Sequence, residues 1–483
     1  MMPQVYTLRK KREMIIHETR KALNLLFALL LFSSVAFCQQ LEPAPTFRLL
    51  NSGYGAAALG MGGAYVAIAG DMSAIYWNPA GLAQLQGLQI AVDYRYMGDS
   101  DEDFSDEIFP DRFESKQRFG VSGNQFQAVG VSYGIQSKSV MIVPAFAWQR
   151  LASTGPERQI KEQAGVVEFL SRTVFFQSEG TFSEEIKDDE EEFTFGISAR
   201  ASKKIMIGGT WSFLRSGPEY NLSGDFHDSL LTIPVHTRTD LALKQTYREE
   251  RNGNYLKIGL LFFPQGRASI GGYVRFPYTV ESDITLQKSG PFTTTETLRN
   301  PDGSIIRVDT TNGNLNLNIT AKSTIEVPME WAAGIAVRPS NSVLVGGSVT
   351  YSDWKDVKRI VTDSSDPLVL QNETLPYPAL RPTATQESLL QWRAGTEYLF
   401  GHFGRGLVLR SGIFRDGQPY SDANGDRVYF HGYSAGAGIG IGSWRLDAAF
   451  VSEKGEVRLT PNSREISHFK NRRWVFTVSY IGI

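Results

Sequence analysis

The chain has 483 residues, a single cysteine and a net charge of −2. This charge balance argues against general nucleic-acid binding, and one cysteine excludes an intrachain disulfide. After the N-terminal segment no apolar run reaches the roughly 18 residues that a membrane-spanning helix needs. Glycine (46 residues) and aromatic residues (12%) are plentiful, which suits a β-barrel with aromatic belts.

Residues 1–38 are predicted to be a secretory signal peptide. Arg20 and Lys21 precede the short apolar stretch Leu23–Phe32, and small residues follow it, which is the order of a signal sequence. Cleavage is expected just after Cys38. A buried N-terminal helix and lipidation of Cys38 are the alternatives.

Residues 39–87 are predicted to form a small hatch rather than part of the barrel. Gly55–Ala69 is dense in glycine and alanine, which lets its backbone pack closely against a wall. Asn78 followed by Pro79 is typical of an N-cap with proline in the first helical turn. Because a large barrel has more lumen than side chains alone fill, this segment is expected to plug it.

Residues 88–483 are predicted to form fourteen antiparallel membrane-spanning strands. In the first, Leu88–Met97, apolar and polar side chains alternate, which gives a strand two different surroundings. About ten residues is also the length of a tilted strand that crosses a bilayer. The predicted strands are 88–97, 126–136, 139–150, 192–201, 204–215, 254–263, 267–278, 328–338, 342–353, 388–400, 406–415, 429–441, 443–452 and 472–481.

The lengths of the connections favour an outer-membrane barrel over a soluble sandwich. Connections after even-numbered strands are tight, whereas most of those after odd-numbered strands are long, among them 98–125, 151–191, 216–253, 279–327 and 354–387. Outer-membrane barrels have short periplasmic turns and long outer loops. The strand count is even and both termini fall on the periplasmic side.

The apolar faces of these strands are expected to contact lipid. The outward candidates are Val129, Val131, Tyr133, Phe193, Phe195, Ile197, Ile205, Ile207, Trp211, Phe213, Trp444, Leu446, Phe450, Trp474, Phe476, Val478 and Tyr480.

The third predicted strand has two informative features. Like the sixth and seventh strands it is apolar on both faces, with Met141, Val143, Ala145 and Ala147 opposite the lipid side, which predicts an apolar lumen suited to hydrophobic cargo. It also contains Pro144, which has no N–H for the strand ladder. Pro144 is therefore a candidate for a lateral opening in the wall, with a simple β-bulge as the alternative.

The long connections are acidic and polar. The run Asp188–Glu192 is interpreted as a solvated outer face, with divalent-cation binding as the alternative. Asp422, Asn424 and Asp426 have the spacing that begins a calcium loop, but Gly425 comes too early and no closing glutamate follows.

Several stretches resemble the FadL/TodX (OMPP1) family of outer-membrane transporters for hydrophobic compounds. Gly55–Ala83, with Asn78-Pro79-Ala80 at its centre, is similar to the family's N-terminal hatch. Gly271–Val280, Pro328–Pro339 followed by Asp353-Trp354, and Arg410–Asp422 resemble further strands of the family. The glycine-rich Ala58–Gly63 is closer to the branch that includes PorV-type secretion partners.

The resemblance implies a monomeric 14-stranded barrel, closed by its hatch, in the Gram-negative outer membrane. A hydrophobic molecule would be captured near the outer loops and released sideways into the lipid. Asn78, Pro79, Ala80 and Gly81 are then candidate gating residues and Pro144 the candidate lateral opening, while Asn78 as a helix cap alone is the alternative.

No enzyme, metal site or cofactor is expected. The six histidines are scattered, and neither a nucleophile elbow nor a phosphate loop occurs. Two main functions remain: uptake of hydrophobic small molecules such as long-chain fatty acids or hydrocarbons, and partnership with secretion-system proteins. An adhesin, a receptor or an enzyme is a further alternative.

Overall fold

The computed structural model describes most of the chain after the N-terminal segment. The described residues are 53–97, 101–104, 117–118, 123–137, 140–152, 174–188, 190–215, 217–232, 235–300, 304–365, 374–376, 386–401, 406–422, 424–458 and 466–482. The predicted signal peptide, 1–38, and hatch residues 39–52 lie outside them.

Short helices come first and strands make up the rest. The elements are α1 (Ala56–Gly60), α2 (Ala74–Trp77), a 3₁₀ helix (Pro79–Gln84), β1 (Gly87–Met97), β2 (Asp101–Phe104), β3 (Gln117–Arg118), β4 (Gly123–Ser137), β5 (Val140–Ala152), β6 (Val174–Asp188), β7 (Glu190–Arg200), β8 (Ile205–Arg215), β9 (Pro218–Thr232), β10 (Val235–Gln265), β11 (Ala268–Arg275), β12 (Tyr278–Arg299), β13 (Ile305–Val327), β14 (Glu330–Val337), β15 (Val343–Ser352), β16 (Lys358–Ser364), β17 (Thr374–Pro376), β18 (Leu389–Phe400), β19 (Leu407–Ser421), β20 (Arg427–Ile441), β21 (Trp444–Arg458) and β22 (Ile466–Ile481). No helix among the described residues is long and apolar enough to cross a membrane.

Fourteen of the strands form a closed antiparallel barrel. Their order around the wall is β1, β4, β5, β7, β8, β10, β11, β14, β15, β18, β19, β20, β21 and β22, and β22 pairs again with β1. Closure leaves no unpaired edge in the wall, which is the requirement for a sheet in lipid.

The predicted strands and faces are confirmed. Each predicted strand corresponds to one barrel strand, and the main difference is that several outer ends run further than predicted. In β1, Asp93 and Arg95 are buried on the inner face, whereas Ile90 and Tyr96 are exposed on the outer face. The residues predicted to contact lipid are exposed or half-buried in the same way.

A second sheet rises from the outer end of the barrel, where long loops were predicted. The strands β6, β9, the first half of β10, β12, β13, β16 and β17 pair in this order. β10 has 31 residues, of which 252–262 pair with β8 in the wall. The part before residue 252 extends roughly 60 Å beyond the barrel at about 3.3 Å per residue.

The prediction of loops over 216–253 and 279–327 was therefore wrong. Thr293–Thr297 is polar at every position and therefore shows no alternation, and in Asn312–Asn318 only Leu315 and Leu317 are apolar, which is too short a pattern to predict a strand. Their strands are stabilised by long backbone ladders between neighbours, such as the pairing of β12 with β13 from Tyr278–Val327 to Arg299–Ile305.

A buried carboxylate joins two strands of this outer sheet. Glu249 in β10 accepts hydrogen bonds from Arg251 at 2.9 Å, from Arg359 of β16 at 2.8 Å and from the Tyr247 hydroxyl at 3.0 Å. Burial alone raises the pKa of Glu249, but the two arginines outweigh it and lower the pKa to about 2. The ionised form is therefore the one that the fold stabilises.

Acid should loosen the outer sheet at this point. Because the folded pKa lies below the ordinary value of 4.5, the stabilisation is complete above about pH 4.5 and is lost as the pH falls toward 2. Glu249→Gln should cost about 3 kcal/mol locally, since it leaves the arginines buried without their partner. Hydrogen exchange of β10 and β16 amides, corrected for intrinsic rates, measures both effects.

The matched control is Glu250→Gln, because Glu250 is exposed and pairs with the exposed Arg248. This variant should exchange like the wild type. An unchanged acid response in Glu249→Gln would contradict the assignment of the response to Glu249.

Candidate functional site

The hatch lies inside the barrel and is almost completely buried. Its described part begins at Gly53 and runs through α1, α2 and the 3₁₀ helix before β1 starts at Gly87. Gly55, Gly62 and Gly63 adopt positive φ angles of 93°, 68° and 77°, which glycine reaches without strain. These turns fold the hatch into short segments that follow the curvature of the wall.

The wall makes room for the hatch with inward glycines on neighbouring strands, here called the glycine belt. A Cβ at any of these positions would press on hatch atoms; at Gly395 and Gly412, for example, it would overlap the backbone of Met61. The hatch backbone therefore touches the backbone of the wall directly. The belt comprises Gly130 and Gly134 of β4, Gly196 of β7, Gly208 of β8, Gly259 of β10, Gly271 of β11, Gly334 of β14, Gly346 of β15, Gly395 of β18, Gly412 of β19 and Gly436 of β20.

Inward polar side chains of the wall then bind the backbone carbonyls of the hatch. Such bonds replace the water that these carbonyls lose on burial. The pairs are Gln127 with Gly53 at 3.1 Å, Ser434 with Gly60 at 3.0 Å, Arg393 with Gly62 at 3.1 Å, Ser269 with Ala67 at 2.6 Å, Lys257 with Tyr76 at 2.8 Å, Ser198 with Ala80 at 3.1 Å and Arg200 with Ala83 at 2.9 Å.

The lumen is consequently much more polar than the apolar third strand predicted. Met141, Val143 and Ala147 of β5 do face inward and are buried as expected. On most other strands, however, buried inward positions carry charged groups, because these groups hold the hatch and one another. They include Asp93, Arg95, Glu192, Lys257, Arg393, Arg410, Asp416, Asp447, Glu453 and Arg473.

Glu192 shows why sequence reasoning misplaced part of the acidic run. The run was interpreted as a solvated outer face, yet Glu192 is buried in the lumen. Its carboxylate accepts hydrogen bonds from Gln149 at 2.8 Å, Thr194 at 2.6 Å and Tyr255 at 2.7 Å. Its neighbour Glu191 faces outward and pairs with Arg150 at 3.6 Å. The sequence signal that could have shown this is the two-residue period of a strand. Because the acidic run enters β7, its side chains must alternate between the inner and outer faces.

Asn78 is fully buried and caps the 3₁₀ helix, as its sequence predicted. Its Oδ1 accepts a hydrogen bond from the Ala80 N–H at 3.1 Å. Its Nδ2 also donates to the carbonyl of Val66 at 2.8 Å and to that of Leu260 in β10 at 3.0 Å. Asn78 thus joins two segments of the hatch to the barrel wall.

Substitutions at Asn78 separate capping from wall attachment. Asn78→Asp keeps the acceptor for Ala80 but removes both donors, so two buried carbonyls lose a partner at roughly 1–3 kcal/mol each. We expect a barrel that stays heat-resistant in gel-shift assays, with increased ion leak in planar bilayers. A leak confined to Asn78→Ala would show that the cap alone matters.

The other predicted gating residues lie in the same wall contact. Pro79 abuts Gly208 and Gly259, the Ala80 carbonyl binds Ser198, and Gly81 packs against Ala69 within the hatch. All these contacts are with β7, β8, β10 or the hatch itself.

Pro144 faces outward from β5 and interrupts the ladder with β4. Pairing is regular up to Ser132–Ala145 and resumes in the same register at Ile135–Ile142, but the two intervening residue pairs are missing. On its other side β5 pairs with β7 without a break at Pro144. The register is unchanged across the gap, so the interruption is not the β-bulge considered as the alternative.

The hatch meets this gap from the inside at its exit segment, Leu85-Gln86. A Cβ on Gly134 would lie 2.7 Å from the Leu85 carbonyl oxygen and 3.0 Å from the Gln86 Cα. Val143 beside the gap is 0% exposed. The hatch segment at the gap is therefore Leu85-Gln86, and not the candidate gating segment that begins at Asn78.

The described residues offer no metal centre. None of their His, Cys, Asp and Glu side chains form a group of three or more that could hold an ion. The Asp422 carboxylate instead accepts backbone N–H groups of Asn424 and Asp426, both at 2.9 Å. The partial calcium-loop spacing thus produces a turn.

Comparison with solved structures places the fold among channels. The chain matches a FadL homologue of Pseudomonas aeruginosa with TM-score 0.55 and 12% identity, over 90% of this chain and 99% of the other. It matches the toluene transporter TodX of P. putida with TM-score 0.52 and 14% identity, over 90% and 99%. A deletion mutant of the TodX monoaromatic hydrocarbon channel gives TM-score 0.53 and 14% identity, over 89% and 99%.

No protein-family model and no curated protein matches the sequence. These three structures are described as a FadL homologue, a transporter and a channel, not as enzymes. A closed, even-numbered antiparallel barrel with an apolar outer surface is the architecture of Gram-negative outer-membrane proteins, and the predicted location is confirmed. With its ring of fourteen antiparallel strands around an N-terminal hatch, the chain has the fold of the FadL and TodX outer-membrane channels.

Proposed function

We propose that this protein takes up hydrophobic compounds through the outer membrane and releases them sideways into the lipid between β4 and β5. The observation that carries the proposal is that Tyr133-Gly134 of β4 does not pair with Val143-Pro144 of β5, at a place where the hatch lies against the inside of the wall at Leu85. A continuous ladder would have to break before any molecule could pass the wall. Here two pairs are already missing.

The surroundings of the gap suit hydrophobic cargo. Inside, Ala128, Met141, Val143 and Ala147 pack with Met72 and Leu85 of the hatch in one apolar cluster. Outside, Tyr133, Ile135 and Ile142 are exposed to lipid. A molecule that leaves here passes from apolar side chains to lipid acyl chains. A route through the polar centre of the lumen would instead surround it with paired charges, which is unfavourable for an apolar molecule.

Neighbours of the same fold transport toluene or monoaromatic hydrocarbons by their descriptions. We extend the cargo class to long-chain fatty acids and hydrocarbons, with the protein acting as a monomer and outer-membrane lipid as the receiving phase. The test is uptake of labelled oleate and toluene by cells that lack other such channels. Rates equal to those of cells without the protein would overturn the proposal.

The outer sheet favours a second candidate, a PorV-like partner in protein secretion or surface attachment. Among the described residues, 305–319 of β13 pair with β12 alone, and such an edge can accept another strand. Replacing residues 290–315 with a two-residue turn separates the functions. Loss of surface proteins with normal uptake would favour the second candidate, and normal secretion would count against it.

A further inference from the structure

Basic side chains gather on the lipid side of the barrel at the outer ends of four neighbouring strands, and we call them the basic patch. Arg415 of β19 pairs with His431 of β20, which in turn pairs with Lys454 of β21. Lys454 also pairs with Lys470 of β22, and Arg472 lies two residues nearer the membrane on the same face of β22. All five side chains are exposed except the half-buried Arg415.

The basic patch lies just beyond an aromatic belt on the same outward face. Tyr433, Phe450 and Trp474 follow one another across β20, β21 and β22, with successive ring centroids 6.5 Å and 5.1 Å apart. Such belts mark the level where acyl chains end and lipid head groups begin. Arg472 and Lys470 lie two and four positions further out than Trp474, which is about 7 to 13 Å along the strand. The patch is therefore at the height of the outer-leaflet head groups.

Charges on the inner face of these strands are paired, whereas those of the basic patch are not. Inside, the Arg473 guanidinium lies 3.6 Å from the Glu453 carboxylate. Outside, Arg415, Lys454 and Arg472 form no ion pair with any other described residue. An exposed group of cations without carboxylate partners suits an anion from the surroundings.

The strand register also places like charges opposite each other. Lys454 and Lys470 are direct neighbours in the ladder, where Cβ atoms are about 5 Å apart and like charges repel. Acidic residues come only at the margins of the patch in the described part of these strands. Asp101 of β2 pairs with Lys470 from the far side, and Glu456 lies two residues beyond Lys454. An anion bound between the strands would remove the repulsion at the centre.

Arg415 is held in a fixed position by an aromatic ring. Its guanidinium carbon lies 3.7 Å from the centroid of the Tyr429 ring. A stacked guanidinium presents its N–H donors at its edge, where they can bind two phosphate oxygens at once. Stacking thus restricts the side chain before a ligand arrives, so less conformational entropy is lost on binding.

We propose that the basic patch binds the phosphate groups of an outer-leaflet lipid, a phosphorylated glycolipid of the lipid A type. The lysines supply point charges, Arg415 and Arg472 bind phosphate oxygens, and the acyl chains lie along the aromatic belt below. Four strands at a spacing of about 4.8 Å span about 14 Å, which accommodates more than one phosphate of a single head group. The proposal goes beyond the uptake function and depends only on the location of the barrel in the outer membrane.

The test measures binding to the purified protein in detergent micelles. The ligands are synthetic lipid A with two phosphates, the same lipid without phosphates, and inorganic phosphate. The variant combines Arg415→Gln, Lys454→Gln and Arg472→Gln. Since one cation near an anionic lipid surface strengthens binding by about fivefold, we expect lipid A to bind roughly 100-fold more weakly to this variant. Binding of the lipid without phosphates should change less than about twofold.

The matched control removes three positive charges at the periplasmic end instead. It combines Lys203→Gln, Lys204→Gln and Arg267→Gln, all at exposed positions next to tight turns. This variant should bind lipid A as the wild type does. Heat-modifiable gel migration verifies that each variant is folded, and raising the salt concentration should weaken lipid A binding to the wild type.

Four results would overturn the proposal. They are equal affinity of the wild type for the lipid with and without phosphates, wild-type affinity in the triple variant of the patch, an equal loss in the periplasmic control, and displacement of lipid A by inorganic phosphate at a similar concentration. The last would show a site for free phosphate rather than for a lipid. A wild type that binds lipid A but takes up no hydrophobic compound would refute the uptake function alone.

Discussion

Replacing Pro144 with valine should reduce the uptake of hydrophobic compounds by about 5- to 30-fold while the barrel stays folded. Valine restores an N–H to the β4–β5 ladder, so the two missing pairs next to Tyr133 can form. One or two additional hydrogen bonds of about 1 kcal/mol each make an opening of the wall rarer by that factor. Uptake of labelled oleate or toluene measures the effect.

Ile142→Val is the control for this prediction, since Ile142 lies on the same outward face of β5 and already pairs with Ile135. It should leave uptake unchanged. A Pro144→Val protein that migrates as a folded barrel and transports at the wild-type rate would remove the lateral opening from the mechanism.

The second large effect is expected from the glycine belt. Gly208→Val places a side chain where the backbone of Pro79 and Ala80 now lies. Neither the hatch backbone nor the β8 backbone can move aside without a large cost in free energy, because the interior is close-packed. We expect the hatch to be displaced from β8, with a large rise in single-channel conductance in planar bilayers and a loss of several kcal/mol in hatch stability.

The adjacent residue provides the matched control. A Cβ at Gly209 would lie 3.7 Å from the Lys257 carbonyl oxygen, an ordinary contact, and Gly209→Val adds a branched residue on the lipid side. Its conductance should equal that of the wild type. Equal conductance in both variants would mean that the hatch does not depend on the belt for its position.

These predictions concern different parts of one closed structure. The belt and the carbonyl-binding side chains hold the hatch on β4, β7, β8, β10, β11, β14, β15, β18, β19 and β20. At the gap, Leu85-Gln86 meets a wall that already lacks two pairs. A local movement of this exit segment therefore requires the loss of fewer contacts than displacement of the whole hatch.

The barrel was predictable because its cause is local. The alternation of apolar and polar residues in stretches such as Leu88–Met97 reflects two environments, lipid outside and a packed lumen inside. Short turns also alternate with long connections along the chain. Asn78 as a cap and Pro144 as a break in the ladder follow from single residues in the same way. Neither needs knowledge of what lies across the barrel.

The polar outer sheet and the contents of the lumen were not predictable by this reasoning. Thr293–Thr297 shows no difference between its faces, so its strand depends on backbone pairing with a neighbouring strand. Glu192 faces inward and Glu191 faces outward, although both are glutamates. Only the positions of Gln149, Thr194 and Tyr255 show that the Glu192 carboxylate is hydrogen-bonded inside the lumen.

The sequence alone determined the overall architecture: fourteen membrane strands, their inward and outward faces, the hatch ahead of them and the proline in the third strand. Tertiary structure decided that the lumen is polar, that wall glycines receive the hatch and that Leu85-Gln86 covers the gap. The physical reason is the range of the interactions. Strand periodicity is set within a few residues, whereas a contact such as that of Gly412 with Met61 joins positions far apart in the chain and exists only once the barrel has closed around its hatch.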